Sequence, residues 1–139
     1  MKKQESLRNV ENYLGIFKFT DLKRLTIKQY PCYFMLKHRN IFAAIAIYIN
    51  DIYICDPSGA FECKTLLNDL PILCYNKKIY ITKRLQSKPQ KLYYACSLFI
   101  LIMSKEKRFD KFLNLLSTKL EKNYKAIKTH FKSIKYSEC

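Results

Sequence analysis

The sequence predicts one α+β domain, in which a small mixed sheet is packed by helices around a buried central helix. Two observations support this fold class. Short runs of β-branched and aromatic residues, separated by turn residues, occupy much of the chain before residue 83. The last third instead has apolar residues at helical spacing, and the run 92–103 is apolar on every side. With 139 residues, 49% of them apolar, the chain can build a single core over residues 1–139.

The elements before residue 83 follow from local signals. Glycine commonly ends helices, proline stops them, and β-branched runs around two turn residues favour a hairpin. We expect a helix at 5–14 that ends near Gly15, followed by a buried strand at 32–37. A hairpin of the runs IFAAIAIYI and IYICD should turn at Asn50-Asp51, and a further turn is expected at Asp56-Pro-Ser-Gly59. A helix at 61–70, stopped by Pro71, and a strand at 78–82 complete this part.

The remaining elements are predicted to be helices. The apolar run 93–103 is expected to form the buried central helix, and it is too short to span a bilayer. Apolar residues at helical intervals continue this pattern from Phe109 to Leu116. A basic C-terminal helix at about 118–135 begins with a capping box, Thr118 to Glu121, and has lysines on one side and apolar residues on the other.

Composition excludes several classes of site. Two glycines in the whole chain cannot form a dinucleotide-binding or P-loop motif. The six cysteines contain no CxxC pair, so we expect no metal site. The polar start MKKQESLRNV has no secretory signal, which predicts an intracellular or virion protein with reduced cysteines and no membrane anchor.

A net charge of +15 calls for an anionic partner, and nucleic acid is the first candidate. Residues 77–91 carry six basic groups and no acidic group, and tyrosines that can stack on bases lie among and beside them. The alternative is a solvated basic face without a partner. The candidate phosphate contacts are Lys77, Lys78, Lys83, Arg84, Lys88, Lys91, Lys122 and Lys125.

Cys96 is the candidate nucleophile. It lies near the expected start of the buried helix, after a loop that contains Arg84, Lys88 and Lys91. Helix N-terminal amides and nearby cations stabilise a thiolate, the form of cysteine that attacks a carbonyl. The alternative is a buried cysteine that only packs in the core.

The order of several short motifs resembles the adenain family, the adenovirus-type cysteine endopeptidases that also occur in large DNA transposons and insect viruses. The resemblance spans roughly residues 12–131. It rests on these segments: NYLGI at 12–16, a strand into IAIYI, the hairpin, DPSG at 56–59, LQS at 85–87, ACSLF at 95–99 and FLNLLSTKL at 112–120.

The resemblance implies an adenain-like, papain-related protease fold with Cys96 as nucleophile and Asp56 orienting a histidine. Gln86 or Gln90 would be the oxyanion donor. However, Ala43-Ala44 stand where the family has His-Trp. His130 is expected on the surface of the late helix, so His38 is the only candidate for a relocated base.

Three hypotheses therefore stand side by side. The first, which we favour, is an inactive adenain-like protein with a binding or virion-structural role among viral or transposon proteins. The second is an active cysteine endopeptidase that uses Cys96 with His38. The third is a basic nucleic-acid-binding domain. The resemblance implies no cofactor except DNA, which adenain uses.

Overall fold

The computed structural model describes residues 7–39, 41–57, 77–82 and 92–114, and the fold of this part is α+β. Five strands form one mixed sheet in the order β1-β2-β3-β4-β5. The strands are β1 Tyr13–Lys18, β2 Cys32–His38, β3 Ile41–Ile47, β4 Asp51–Cys55 and β5 Lys78–Ile81. A 3₁₀ helix covers Phe19–Arg24, and the α-helices are α1 Leu92–Glu106 and α2 Phe109–Asn114.

The middle three strands form an antiparallel meander, and each outer strand is parallel to its neighbour. The predicted strand 32–37, the hairpin, the strand near 78–82 and the central helix are confirmed. β3 and β4 are rich in isoleucine, which favours extended backbone, and they join through a tight connection at 48–50.

The predicted helix at 5–14 is wrong for its second half. Residues 7 and 8 are helical, but Tyr13–Lys18 is a strand that pairs with β2. Gly15 ends no helix: it lies inside β1 with φ of +105°, beside an irregularity in the β1–β2 register. Backbone pairing with β2 stabilises the extended form of this segment, and the local helix signals do not reveal that pairing. The predicted helices at 61–70 and 118–135 lie outside the described residues.

The sheet is apolar on both faces. We call the face against α1 the helix face, which carries Tyr33, Met35, Ala44, Ala46 and Cys55. The other face is the opposite face, where the core residues are Leu22, Ile27, Cys32, Phe34, Leu36, Ile45, Ile47, Ile52 and Ile54. Side chains alternate between the faces along each strand, as the pleat requires.

Helix α1 lies across the helix face and packs mainly on β3. Alanine at positions 44 and 46, both fully buried, leaves room for the helix backbone to approach the sheet. The segment from Ala95 to Met103 is buried throughout, which agrees with its lack of a polar side. The fold therefore places Cys96 inside the core, between α1 and the sheet.

Candidate functional site

Cys96 lies in the second turn of α1 and is fully buried. Cys55, the last residue of β4, is also fully buried. The two residues belong to the same core cluster, and neither is in a disulfide. Burial, followed by the hydrogen bond to Cys96 and the nearby charge of Asp56, raises the pKa of the Cys55 thiol. Cys55 is therefore a neutral thiol near neutral pH.

Asp56 follows β4 and is only 1% exposed. Its backbone N–H donates a hydrogen bond of 2.9 Å to the Thr82 hydroxyl, which ties the end of β4 to the end of β5. The Thr82 side chain also hydrogen-bonds to Cys55. Asp56, Cys55 and Cys96 are thus all buried, and Cys55 and Cys96 belong to one core cluster.

The register of the hairpin locates the position at which the family resemblance implies a histidine. Ala44 pairs with Cys55, so the next pair outward places Ala43 opposite Asp56. Alternation puts the Cβ of Ala43 on the opposite face, away from α1. An alanine there offers no imidazole to Asp56 and no base to Cys96.

His38 ends β2 and is exposed. It pairs with Ile41 and shares the parity of Phe34 and Leu36, which places it on the opposite face of the sheet. Ideal strand spacings put its Cα about 12 Å from that of Asp56. The structure does not bring His38 to the face on which Cys96 packs. Gln86, Gln90 and His130 lie outside the described residues.

The predicted phosphate contacts divide into described and undescribed residues. The Lys77 ammonium lies 4.4 Å from the centroid of the Tyr30 ring and donates a hydrogen bond to the Ile49 carbonyl, so this cation is already engaged. Lys78 is exposed at the start of β5. Lys83, Arg84, Lys88, Lys91, Lys122 and Lys125 lie outside the described residues.

A row of tyrosines crosses the whole helix face, and sequence reasoning did not find it. Tyr13 pairs with Tyr33, Tyr33 with Ala46, Ala46 with Tyr53, and Tyr53 with Tyr80. We call these four tyrosines the tyrosine row. The gap over Ala46 is filled by Tyr48, whose ring contacts those of Tyr33 and Tyr53 edge-on, with centroids 6.2 Å and 5.7 Å away.

The hydroxyls of this region form a short network under α1. The Tyr33 and Tyr48 hydroxyl oxygens are 3.4 Å apart, and Tyr48 donates a hydrogen bond of 2.9 Å to the Met103 carbonyl. The Tyr13 hydroxyl is buried with no hydrogen-bond partner. Burial raises the phenol pKa of Tyr13, Tyr33 and Tyr48 above the ordinary value near 10.

At its β5 end the row reaches the surface. The rings of Tyr53 and Tyr80 are stacked, with centroids 4.9 Å apart and planes 13° apart, and Tyr80 is 40% exposed. Phe109 packs on Tyr53 at 5.2 Å, directly after the exposed residues Lys107 and Arg108. We call Tyr53, Lys78, Tyr80, Lys107 and Phe109 the β5 surface.

Comparison with known proteins assigns this chain neither a family nor a function. No family model and no curated protein matches the chain. Among solved structures, the central domain of an uncharacterized Legionella pneumophila protein is similar at 12% identity, covering 91% of this chain and 89% of that chain, with a TM-score of 0.39. At this TM-score the similarity assigns neither a fold family nor a function.

Among the described residues, no three His, Cys, Asp or Glu side chains converge to hold a metal ion. Within the same residues, no helix is long and apolar enough to cross a membrane.

Proposed function

We propose that this protein binds single-stranded nucleic acid through the β5 surface, on an adenain-like scaffold that does not hydrolyse peptides. One observation carries the proposal: Tyr80 is 40% exposed and lies stacked on Tyr53, on the same strand as the exposed Lys78. Proteins that bind single strands combine aromatic platforms for the bases with cations for the phosphates, and this surface has both.

The geometry of the tyrosine pair suits an unpaired base. One face of the Tyr80 ring rests on Tyr53, so a base would stack on its other face. Tyr53 is in turn held by Tyr48 and Phe109, which fixes the platform before the ligand arrives. A preformed platform loses little side-chain entropy on binding, which favours affinity. Bases inside a duplex cannot reach such a ring, so the surface selects single strands.

The charges beside the platform support contact with a phosphate chain. Lys78 shares the strand face of Tyr80 two residues away, and Lys107 is exposed ahead of Phe109. The nearby Arg108 is paired with Asp110 at 2.6 Å and is less available. The overall charge of +15 adds long-range attraction for a polyanion.

The absence of hydrolysis is supported by the surroundings of Cys96. Its sulfur is fully buried beside a second thiol, and His38, the histidine within the described residues, lies on the other face of the sheet. General base catalysis contributes about 10²–10⁴-fold, and a cysteine nucleophile without it loses this factor. The adenain-like assignment itself is supported by Cys96 in a buried central helix and by Asp56 directly after the hairpin.

Fluorescence anisotropy with a labelled oligo-dT strand tests the proposal. We expect Tyr80→Ala to weaken binding by about 10-fold, because one stacked base is worth about 1–3 kcal/mol. Tyr80→Phe keeps the ring and should bind as the parent does. Leu14→Ala is the matched control, since Leu14 is 39% exposed on the opposite edge of the sheet. Equal affinity of the parent and Tyr80→Ala, or no binding at low salt, would contradict the proposal.

A further inference from the structure

Two lysines lie side by side at the carboxyl ends of β1 and β2. Lys18 pairs in register with Lys37, and both are exposed. They lie on the helix face, because Ile16 and Met35, two residues earlier on each strand, pack in the core of that face. Neighbouring strands are about 4.8 Å apart, so the two long side chains reach one ligand between them. We call Lys18 and Lys37 the lysine pair.

The charge of the lysine pair is not balanced by an acid on the strands around it. Strands β1, β2 and β3 contain no Asp or Glu. Within the described part of the chain, the ion pairs are formed by Arg108 and Lys111 at the far end of α1, and neither lysine of the pair takes part in one. Like charges that face each other on adjacent strands repel. An anion held between the two ammonium groups removes this repulsion.

A chain of ring contacts joins the lysine pair to the start of helix α1. The Lys37 ammonium lies 5.5 Å from the centroid of the Phe42 ring on β3. Phe42 packs edge-on against Tyr93, with ring centroids 5.7 Å apart. Tyr93 belongs to the first turn of this 15-residue helix, and that turn contains no acidic residue. The amino end of a helix carries a partial positive charge, so the helix adds to the positive potential of the lysine pair.

We propose that the lysine pair binds the dianionic phosphate group of a phosphate monoester. Two ammonium groups match its two negative charges, and each donates a charge-assisted hydrogen bond to a phosphate oxygen. A phosphodiester, as in a nucleic-acid backbone, carries one charge and fits the pair less well. The pair lies on β1 and β2, and four strand spacings, about 19 Å, separate β1 from β5. The site is therefore distinct from the β5 surface, and the proposal does not rest on the nucleic-acid function.

Isothermal titration calorimetry on the full chain tests the proposal at low salt and about pH 8, where a phosphate monoester is a dianion. We expect saturable binding of methyl phosphate and about 10-fold weaker binding of dimethyl phosphate. Lys37→Gln should weaken the binding of methyl phosphate about 10-fold, because a charge-assisted bond is lost. Lys18→Glu should abolish binding while its Tm stays at or above that of the parent, since an acid then faces Lys37. The Tm thus separates a lost site from a lost fold.

Lys28→Gln is the matched control. Lys28 is exposed on the segment between the 3₁₀ helix and β2, outside the strands, and its variant should bind methyl phosphate as the parent does. Tyr80→Ala, which tests the nucleic-acid proposal, should also leave this binding unchanged, so the two proposals fail separately. Absence of saturable binding, or equal binding of the two esters, would overturn the proposal. An equal loss in Lys28→Gln and Lys37→Gln would overturn it as well, because it would show diffuse attraction to the charge of +15.

Discussion

The Tyr48 hydroxyl donates a hydrogen bond of 2.9 Å to the carbonyl oxygen of Met103, and this bond joins the β3–β4 connection to helix α1. The helix carbonyl it reaches also accepts from the backbone N–H of Lys107 at 3.0 Å, so the hydroxyl is anchored near the helix C-terminus. The position of α1 over the sheet is thus fixed by a directional bond as well as by apolar packing.

Tyr48→Phe tests this bond. The substitution keeps the ring between Tyr33 and Tyr53 but removes the donor, so we expect a loss of about 1 kcal/mol in the free energy of unfolding. Urea denaturation followed by circular dichroism measures it. Tyr80→Phe at the exposed end of the tyrosine row should stay within about 0.5 kcal/mol of the parent. A Tyr48→Phe protein as stable as the parent would show that the bond adds nothing.

Stability should fall as the pH rises above about 10. Burial raises the phenol pKa of Tyr13, Tyr33, Tyr48 and Tyr93 in the folded protein, whereas the same phenols in the unfolded chain ionise near pH 10. Above that pH the folded state therefore binds more protons than the unfolded state. Each such group lowers stability by about 1.4 kcal/mol per pH unit until its folded pKa is reached.

Urea titrations at several alkaline pH values measure this slope. Below about pH 10 the stabilising contribution of these protonated phenols is fully present, and no slope from tyrosine is expected. Tyr48→Phe should reduce the slope by the equivalent of one proton. A flat profile through this range would contradict the expectation.

Gly15→Ala should destabilise the protein by about 1–2 kcal/mol, because φ of +105° is strained for any residue with a Cβ. A Cβ added there would meet no atom within 4 Å, so the cost comes from the backbone and not from a clash. Thermal unfolding measures the change. Leu14→Ala, an exposed neighbour on the same strand, serves as the control and should be nearly neutral.

We expect no turnover of peptide substrates by the parent chain. The physical reason is the pairing of a buried Cys96 with a thiol rather than an imidazole. Assays with fluorogenic peptides and with denatured casein, run from pH 5 to 9, measure the rate. Hydrolysis by the parent that is lost in both Cys96→Ala and His38→Ala would establish the relocated-base protease instead.

The strands and the central helix were predictable because their signals are local. In the isoleucine-rich hairpin and in the run from Ala95 to Met103, the pattern of a few neighbouring residues is enough to predict a strand or a helix. Strand β1 was not predictable, because its extended form depends on pairing with β2. Gly15 within it also resembles a residue that ends a helix.

The features of the candidate site also differ in whether the local sequence predicts them. The helical position of Cys96 followed from the sequence, but its place in the same core cluster as Cys55 did not, because strand and helix meet only in the tertiary fold. The tyrosine row could not be predicted either, because its alignment depends on the register between strands that are distant along the chain. Alternation within IYIC does place Tyr53 and Cys55 on one face, and that signal could have directed attention there.

The parallel outer strands give the sheet a built-in order of assembly. β2, β3 and β4 are joined by short connections and need only local loop closure, whereas β1 and β5 pair in parallel with strands more distant along the chain. Loop-closure entropy delays such distant contacts, so the central meander gains its amide protection from hydrogen exchange first, and β5 gains it late and loses it early. The strand that carries Tyr80 is thereby the last strand of the sheet to form.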